Sequence, residues 1–286
     1  MTPNALPPAG AAGGGPDLER PAARTAPGWL LVWEYLVRCW RGYLLSSLAE
    51  AVGTPLLYLL ALGYGLGSLV DAGPGAEPGS ALDGVPYVEF IAPALLVAAA
   101  VQIGMGEASY PAYGRFKWSR VFWGITATPV TPSQVCAGQV LFIATRAATG
   151  STLYYLVLLA FGAAGGAAGV LMAPVGVLTG IACTVWVLAL GAWMRSEGGA
   201  FNVVFRFVLV PMTLFSGSFF PITEIPLALR WLAWLSPLWH GNELARGAAL
   251  GGLGFWPALG HLAFLLAVLI AGLLVARRRY RLRLIV

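Results

Sequence analysis

Apolar side chains run through this chain in blocks longer than the core strands or helices of a soluble domain need, several of them near the ~20 residues that cross a bilayer as a helix. The blocks fall at about residues 44–70, 87–107, 133–161, 170–194, 203–220 and 253–276, and their few charges are Glu50, Glu89, Glu107, Arg146 and Arg206. The pattern predicts an all-α integral membrane protein with six transmembrane helices. Ahead of them, Trp29, Trp33, Leu36 and Trp40 recur at helical spacing on one face of residues 28–43, with Glu34, Arg38 and Arg41 on another. An amphipathic helix is expected there, either in the headgroup region or with its apolar face against protein.

The breaks between blocks carry their own signals. Pro55 and the Gly63–Gly67 run should bend the first span and permit close helix contact. Residues 71–86 hold Asp71, Glu77 and Asp83 without Lys or Arg and should face outside, as should the glycine-rich turn 162–169. Residues 110–132 interleave Arg115, Lys117 and Arg120 with Phe116, Trp118, Phe122 and Trp123 and should face the cytoplasm, as should the short loop with Arg195 and Glu197. The fifth span is interrupted at Pro211, and the stretch beyond its end is neither span nor plain loop. The run Leu227–Leu235 would rise only about 14 Å as a helix, and Ser236-Pro237 supplies an N-cap with proline at the first helical position. Residues 221–250 are therefore expected to form a re-entrant helical hairpin in the outer leaflet. The last span should end near Ala276, before a tail containing Arg277, Arg278, Arg279, Arg281 and Arg283. Residues 1–27, rich in Pro, Gly and Ala, are expected to be a disordered arm, and they lack the apolar core and cleavage site of a secretory signal.

Composition narrows the function. Of the 286 residues 58% are hydrophobic and 10% charged, against about 25% charged in soluble domains, so a water-soluble globule is excluded. The net charge of +5 sits at the ends of apolar blocks rather than on a folded basic surface, so it encodes topology and not nucleic-acid binding. The arm and first helix hold four arginines, the 110–132 loop three basic residues and the tail five, against Arg230 and Arg246 in the outer segments. Both termini are expected in the cytoplasm.

Lys117 is the single lysine, in Gly-Arg-Phe-Lys-Trp, without the glycine-rich turn of a phosphate-binding loop, so no nucleotide site and no bound cofactor is expected in this chain. Three scattered cysteines and two histidines, His240 and His261, form neither a disulfide framework nor a metal site. Arg146 lies deep in the third span, where a charge costs roughly 2.5–3.5 kcal/mol on insertion scales; it either snorkels to the inner headgroups or contacts a substrate. Glu50, Glu89 and Glu107 lie near span ends, where solvation or helix pairing accounts for them. His240, Glu243 and Arg246 share a helical face, but no nucleophile accompanies them.

The stretch from Phe215-Ser216-Gly217-Ser218-Phe219-Phe220-Pro221 to Pro226, then Ser236-Pro237-Leu238-Trp239-His240, then Glu243 and Arg246, resembles the signature of type-2 ATP-binding-cassette exporter permeases. Residues 55–67 and Tyr87–Ala94 resemble most the branch exporting nodulation factors and polyketide drugs. The resemblance runs from about Trp29 to the tail and implies a six-span permease domain over 44–286, in a bacterial cell membrane. It further implies pairing with a second permease, itself or a paralogue, and with two copies of a separate ATPase subunit that binds ATP and Mg. Arg115, Phe116, Lys117, Trp118, Arg120, Phe122 and Trp123, within a coupling segment at 112–124, would then form a helix that seats in the ATPase; the other reading is a second interfacial helix.

Tyr58, Gly63, Tyr64, Gly67, Phe215, Phe219 and Phe220 could line a passage for a hydrophobic or amphipathic drug, lipid or lipid-linked saccharide, or could only pack the protomer. Trp29, Trp33 and Trp40 would form part of an inner-leaflet gate. Pro221, Glu224, Pro237, His240, Glu243 and Arg246 should pair with one another or line an aqueous outer vestibule, with Thr223 and Asn242 reachable by water. A channel or secondary transporter, and an integral-membrane lipid-modifying enzyme, are the other classes; the first would need inverted repeats or polar broken helices at mid-bilayer, and the second would act without an ATPase.

Overall fold

The computed structural model describes residues 26–73, 82, 84–195 and 199–285; the expectations for residues 1–25, Glu77, Asp83 and Glu197 lie outside them. Every regular element among the described residues is helical. Five helices are long and apolar enough to cross a membrane: α2 (Leu44–Val70), α3 (Tyr87–Ala108, continuing after Ser109 as α4, Tyr110–Lys117), α6 (Pro132–Ala160), α7 (Met172–Trp193) and α11 (Phe255–Leu284). The longest run roughly 40–45 Å, well beyond the ~30 Å hydrocarbon layer. A shorter apolar helix, α8, covers Gly199–Phe215. The rest are α1 (Gly28–Arg41), α5 (Val121–Thr126), α9 (Leu227–Leu235) and α10 (Pro237–Leu250).

Burial ranks the helices. About 72% of the most apolar window of α3 and 67% of that of α7 are buried, against 18% for α2, 33% for α6 and 11% for α11. The centre is thus an α3–α7 pair, and glycine makes it. A Cβ on Gly180 would stand 2.9 Å from the Ala100 carbonyl oxygen, so this backbone approach is closed to any larger residue. The outer face of α11 carries Trp256, Leu266, Ile270 and Leu274, all exposed, as lipid contact requires.

Local chemistry sets the boundaries. Thr131 and Gln134 form a reciprocal capping box with Pro132 at the first helical position, which starts α6. The turn after α6 uses Gly165 at φ +70, where a Cβ would also strike the Ala249 carbonyl, so this turn docks on the end of α10. Across the glycine run expected to bend it, α2 stays continuous but changes to π-type hydrogen bonding over Leu59–Leu66.

Three boundaries differ from expectation. The α8 helix begins and ends earlier than 203–220, because Gly217 turns the chain at φ +67 and Phe219 and Phe220 leave the helix. Instead of stopping near Ala276, α11 continues to Leu284, since Ala276, Tyr280 and Leu284 form a buried stripe through the arginine-rich tail. The paired short helices of the hairpin occur at the expected positions, with Pro237 at the first helical position. Ser236, however, makes no side-chain cap: its hydroxyl lies 2.6 Å from that of Ser216. The amphipathic α1 packs Val32, Leu36 and Trp40 inward against α6, where a Cβ on Gly138 would meet the Trp29 carbonyl at 2.6 Å. Of the two readings of its apolar face, burial against protein holds along this stripe.

Candidate functional site

A cleft of about 650 Å³ opens between the end of α1 and helices α2, α3, α6 and α8. Because α2 and α3 run antiparallel, their polar lining residues meet at one end: Ser47 and Glu50 on α2 face Glu107 on α3, with Arg146 from α6. Tyr58, Leu95, Leu214 and Phe219 line the other end. The charged groups of the cavity are therefore gathered at the α1 end, while Thr54, Gln102, Thr149 and Thr213 place polar atoms among otherwise apolar walls.

Glu107 organises that polar end. Its carboxylate, 1% exposed, accepts from Arg115 Nη1 at 2.9 Å on one oxygen and from Arg146 Nη1 at 2.6 Å on the other. Arg146 Nη2 also donates to Ser47 Oγ at 3.2 Å, and Arg115 Nη1 to Gln139 Oε1 at 3.2 Å. The Arg146 guanidinium lies 5.8 Å from the Trp40 ring centre. Arg146 thus lines the cleft while tied to an acid on a neighbouring helix, whose carboxylate it shares with Arg115. Helix pairing, one of the readings for Glu107, is what the structure shows. Sequence reasoning missed that Glu107 and Arg146 are partners, and the one signal was opposite charge on two adjacent spans.

The 112–124 segment is not one helix. Arg120, at φ 51, makes a corner between α4 and α5. Phe116 and Phe122 turn inward and meet Tyr280 at ring-centre distances of 4.9 and 6.0 Å, and Arg115 points to Glu107. Trp123 is half-buried and donates from Nε1 to the Phe116 carbonyl. Arg283 ties this cluster to the end of α7: its guanidinium lies 4.3 Å from the Phe116 ring centre, and Nη1 donates to the carbonyls of Gly191 and Met194. Trp118 and Arg120 remain exposed and Lys117 is half-buried. The exposed part of this run is therefore the corner, with Trp118 and Arg120, and not the whole aromatic-basic stretch.

At the other end of the molecule, Arg246 is a clasp. Nε donates to the Phe90 carbonyl at 3.1 Å, Nη2 to the Gly217 carbonyl, and Nη1 approaches Glu243 Oε1 at 3.4 Å, while the guanidinium lies 3.9 Å over the Phe90 ring. Burial lowers its pKa from the usual guanidinium value, partly offset by Glu243. Asn242 donates to the Ser216 carbonyl and to Ser218 Oγ, both at 3.0 Å. These contacts satisfy the backbone carbonyls where α8 ends, as buried chain outside a helix requires. Arg230 similarly donates to the carbonyls of Ile225 and Thr223. His240 Nδ1 meets His261 Nδ1 at 2.8 Å, and its Nε2 lies 3.0 Å from the Trp234 carbonyl.

Of the outer residues expected to be reachable by water, Thr223 and Glu224 are exposed, whereas Asn242 is fully buried because it holds the α8 turn. Glu224 and Pro221 line a second cavity of about 380 Å³ with Phe219 and Phe220. Tyr58 and Phe219 line the main cleft. Gly63 and Gly67 instead pack against Val88 and Tyr87 at the start of α3, and Tyr64 and Phe215 line neither cavity. Trp40 lines the cleft; Trp33 is tied to Thr145 by a 3.0 Å hydrogen bond and Trp29 lies outside it.

The family model described as ABC-2 type transporter matches residues 28–250, most of the chain and all of the clasp. Among curated proteins, Nodulation protein J of Rhizobium leguminosarum bv. viciae is 28% identical over 226 residues, covering 78% of this chain and 82% of that one. Nodulation protein J of Rhizobium meliloti (strain 1021) is also 28% identical, over 232 residues, covering 80% and 85% of the two chains.

Proposed function

Since the chain belongs to the ABC-2 type transporter family, we propose that it is the membrane subunit of an ATP-driven exporter of hydrophobic or amphipathic cargo, taken from the cytoplasm or inner leaflet. On this reading α8 completes a sixth crossing, both termini lie in the cytoplasm and the α9–α10 hairpin lies in the outer leaflet. Two such chains, or one and a paralogue, stand together, and two copies of a separate subunit bind ATP and Mg. That subunit docks on the Trp118–Arg120 corner. The aromatic cluster beneath the corner and the Arg283 tie to α7 supply a stiff route from it to the central helices.

The observation that carries the proposal is the 650 Å³ cleft, mainly apolar along its walls with its charged groups at the end nearest α1, a lining that suits a cargo with a greasy body and a polar group. Gly106 lines it, and a Cβ there would enter open space, so a larger residue fills the cleft without a clash. Inverted vesicles from cells coexpressing the chain and an ATPase subunit should take up a hydrophobic fluorophore only with ATP. Gly106→Leu should abolish uptake while the two subunits still copurify. Uptake that persists in Gly106→Leu, or that needs no ATP, would overturn the proposal.

A further inference from the structure

The main cleft and the second cavity share one wall. Along α2, Ala51, Thr54 and Tyr58 line the cleft and Leu62, Leu66 and Val70 line the second cavity, at spacings of three or four that keep all six on one side of the helix. Tyr58 and Leu62 are one turn apart, so the two cavities follow one another along α2 with only about 6 Å of helix axis between them. Among the described residues, the one common to both linings is Phe219. The chain that carries it is held by side chains. No backbone–backbone hydrogen bond involves residues 217–220 among the described residues. Arg246 takes the Gly217 carbonyl instead, and the Tyr87 hydroxyl donates to the Phe219 carbonyl at 3.0 Å. Tyr87 is itself fixed, 5% exposed and with its backbone N–H donating to Asp71 Oδ1 at 2.9 Å, just past the end of α2. Backbone held in this way opens more readily than a helix does.

We infer that the second cavity is the continuation of the cleft on the hairpin side, that Phe219 is the partition between them, and that the Tyr87 hydroxyl holds the partition shut. The inference rests on the cleft being the cargo site. The continuation takes the apolar body of the same cargo, since Leu62, Leu66 and Phe220 supply its walls and the exposed Glu224 is its one charged lining residue among those described. A cargo leaving the cleft along α2 has to displace the Phe219 ring, and breaking one hydrogen bond to Tyr87 frees it without unwinding a helix.

The test is cysteine accessibility in sealed membrane vesicles of each orientation, with the full chain carrying Cys39→Ser; its other cysteines, Cys136 and Cys183, are buried. Leu66→Cys should react with an impermeant maleimide from one face only, which identifies the hairpin side, and Thr54→Cys should react slowly from that face. Adding Tyr87→Phe, which removes only the hydroxyl, should speed the Thr54→Cys reaction from the hairpin side about fivefold, as loss of one ordinary hydrogen bond implies. Adding Phe219→Ala should bring it close to the Leu66→Cys rate. Thr54→Cys that reacts as fast in the parent background as in both variants, or that stays protected in Phe219→Ala, overturns the partition. A rise with Phe219→Ala and none with Tyr87→Phe overturns the hold by Tyr87, and Leu66→Cys that is protected from both faces or reactive from both overturns the second cavity as a continuation. A rise seen only where Cys136 and Cys183 also react is unfolding; it would assign Phe219 to packing and overturn the partition as well. Labelling needs neither cargo nor an ATPase subunit, so failure here is distinct from failure of the Gly106→Leu uptake test of the cleft.

Discussion

Glu107→Gln should be the most damaging single change at the Arg115–Glu107–Arg146 cluster. The carboxylate takes one guanidinium on each oxygen, Arg115 at 2.9 Å and Arg146 at 2.6 Å, and the three side chains are 1%, 15% and 13% exposed. Glutamine keeps one acceptor and turns an amide NH2 toward the second guanidinium, so two cations lose their shared counter-charge in a site with little water. Breaking a buried pair by removing one partner costs about 3–5 kcal/mol, because the remaining charge is stranded. Arg146→Met is a different perturbation. It removes one cation and leaves Glu107 paired with Arg115, so the loss is one charge-assisted contact, about 1.5–3 kcal/mol. The methionine stem can keep packing on Trp40, which makes the smaller figure the better one.

An order of stabilities results. Glu107→Gln should unfold at a clearly lower temperature than Arg146→Met, and adding Arg146→Met to Glu107→Gln should raise the unfolding temperature of the latter, since it removes one of the two stranded cations. Tryptophan fluorescence during heating of the detergent-solubilised chain, at one scan rate because such unfolding is kinetic, reads all three variants. A Glu107→Gln chain as stable as the parent, or a double variant that loses the sum of both single losses, would refute the shared-carboxylate account.

At the α4–α5 corner, Arg120→Glu should reduce copurification of an ATPase subunit without lowering the unfolding temperature, whereas Phe116→Ala, which empties the buried cluster, should cost about 3–5 kcal/mol; the reverse pattern would move the docking surface. Burial lowers the His240 pKa below its ordinary value near 6.5, so the unfolded chain takes up a proton before the folded one and stability should fall as pH drops below about 6.5 and level off beneath the folded pKa. His240→Gln should flatten that slope in a thermal-unfolding series, and an unchanged slope would assign it elsewhere. For topology, cysteine at exposed Thr223 should react from outside with an impermeant maleimide while cysteine at buried Asn242 stays protected; labelling of Thr223 from the cytoplasm alone would invert the orientation.

The helices were legible where one local property decides them. Long blocks poor in charge mark α2, α3, α6 and α7 to within a few residues, and a nine-residue apolar run before Ser-Pro can only be a short helix and a restart, which is the α9–α10 hairpin. The end of α8 was only partly legible: Gly217 turns the chain locally, but what holds that turn is remote. The carbonyls of Ser216 and Gly217 are satisfied by Asn242 and Arg246, 26 and 29 residues further on, and no pattern within residues 203–220 records that they will be. The tail failed for a different reason. Counting Arg277 to Arg283 as a hydrophilic terminus overlooked Ala276, Tyr280 and Leu284, whose spacing of four keeps one side of α11 apolar and buried, with Arg283 turned in beside it to bond the Gly191 and Met194 carbonyls.

The same distinction explains the site. Which residues are charged within the spans was plain, but whether a charge is spent or open depends on pairing between helices. Glu107 and Arg146 are 39 residues apart and Arg115 is eight away, and the single carboxylate is shared between the two guanidiniums, while Glu50, read like Glu89 and Glu107 as lying near a span end, lines the cleft without a salt bridge among the described residues. In lipid the cost of an unpaired charge is high enough that pairing is the expected fate of an intramembrane acid. Arg146 at the middle of α6 follows that rule through Glu107, so the deepest charge in the sequence is accounted for by the packing of α3 on α6.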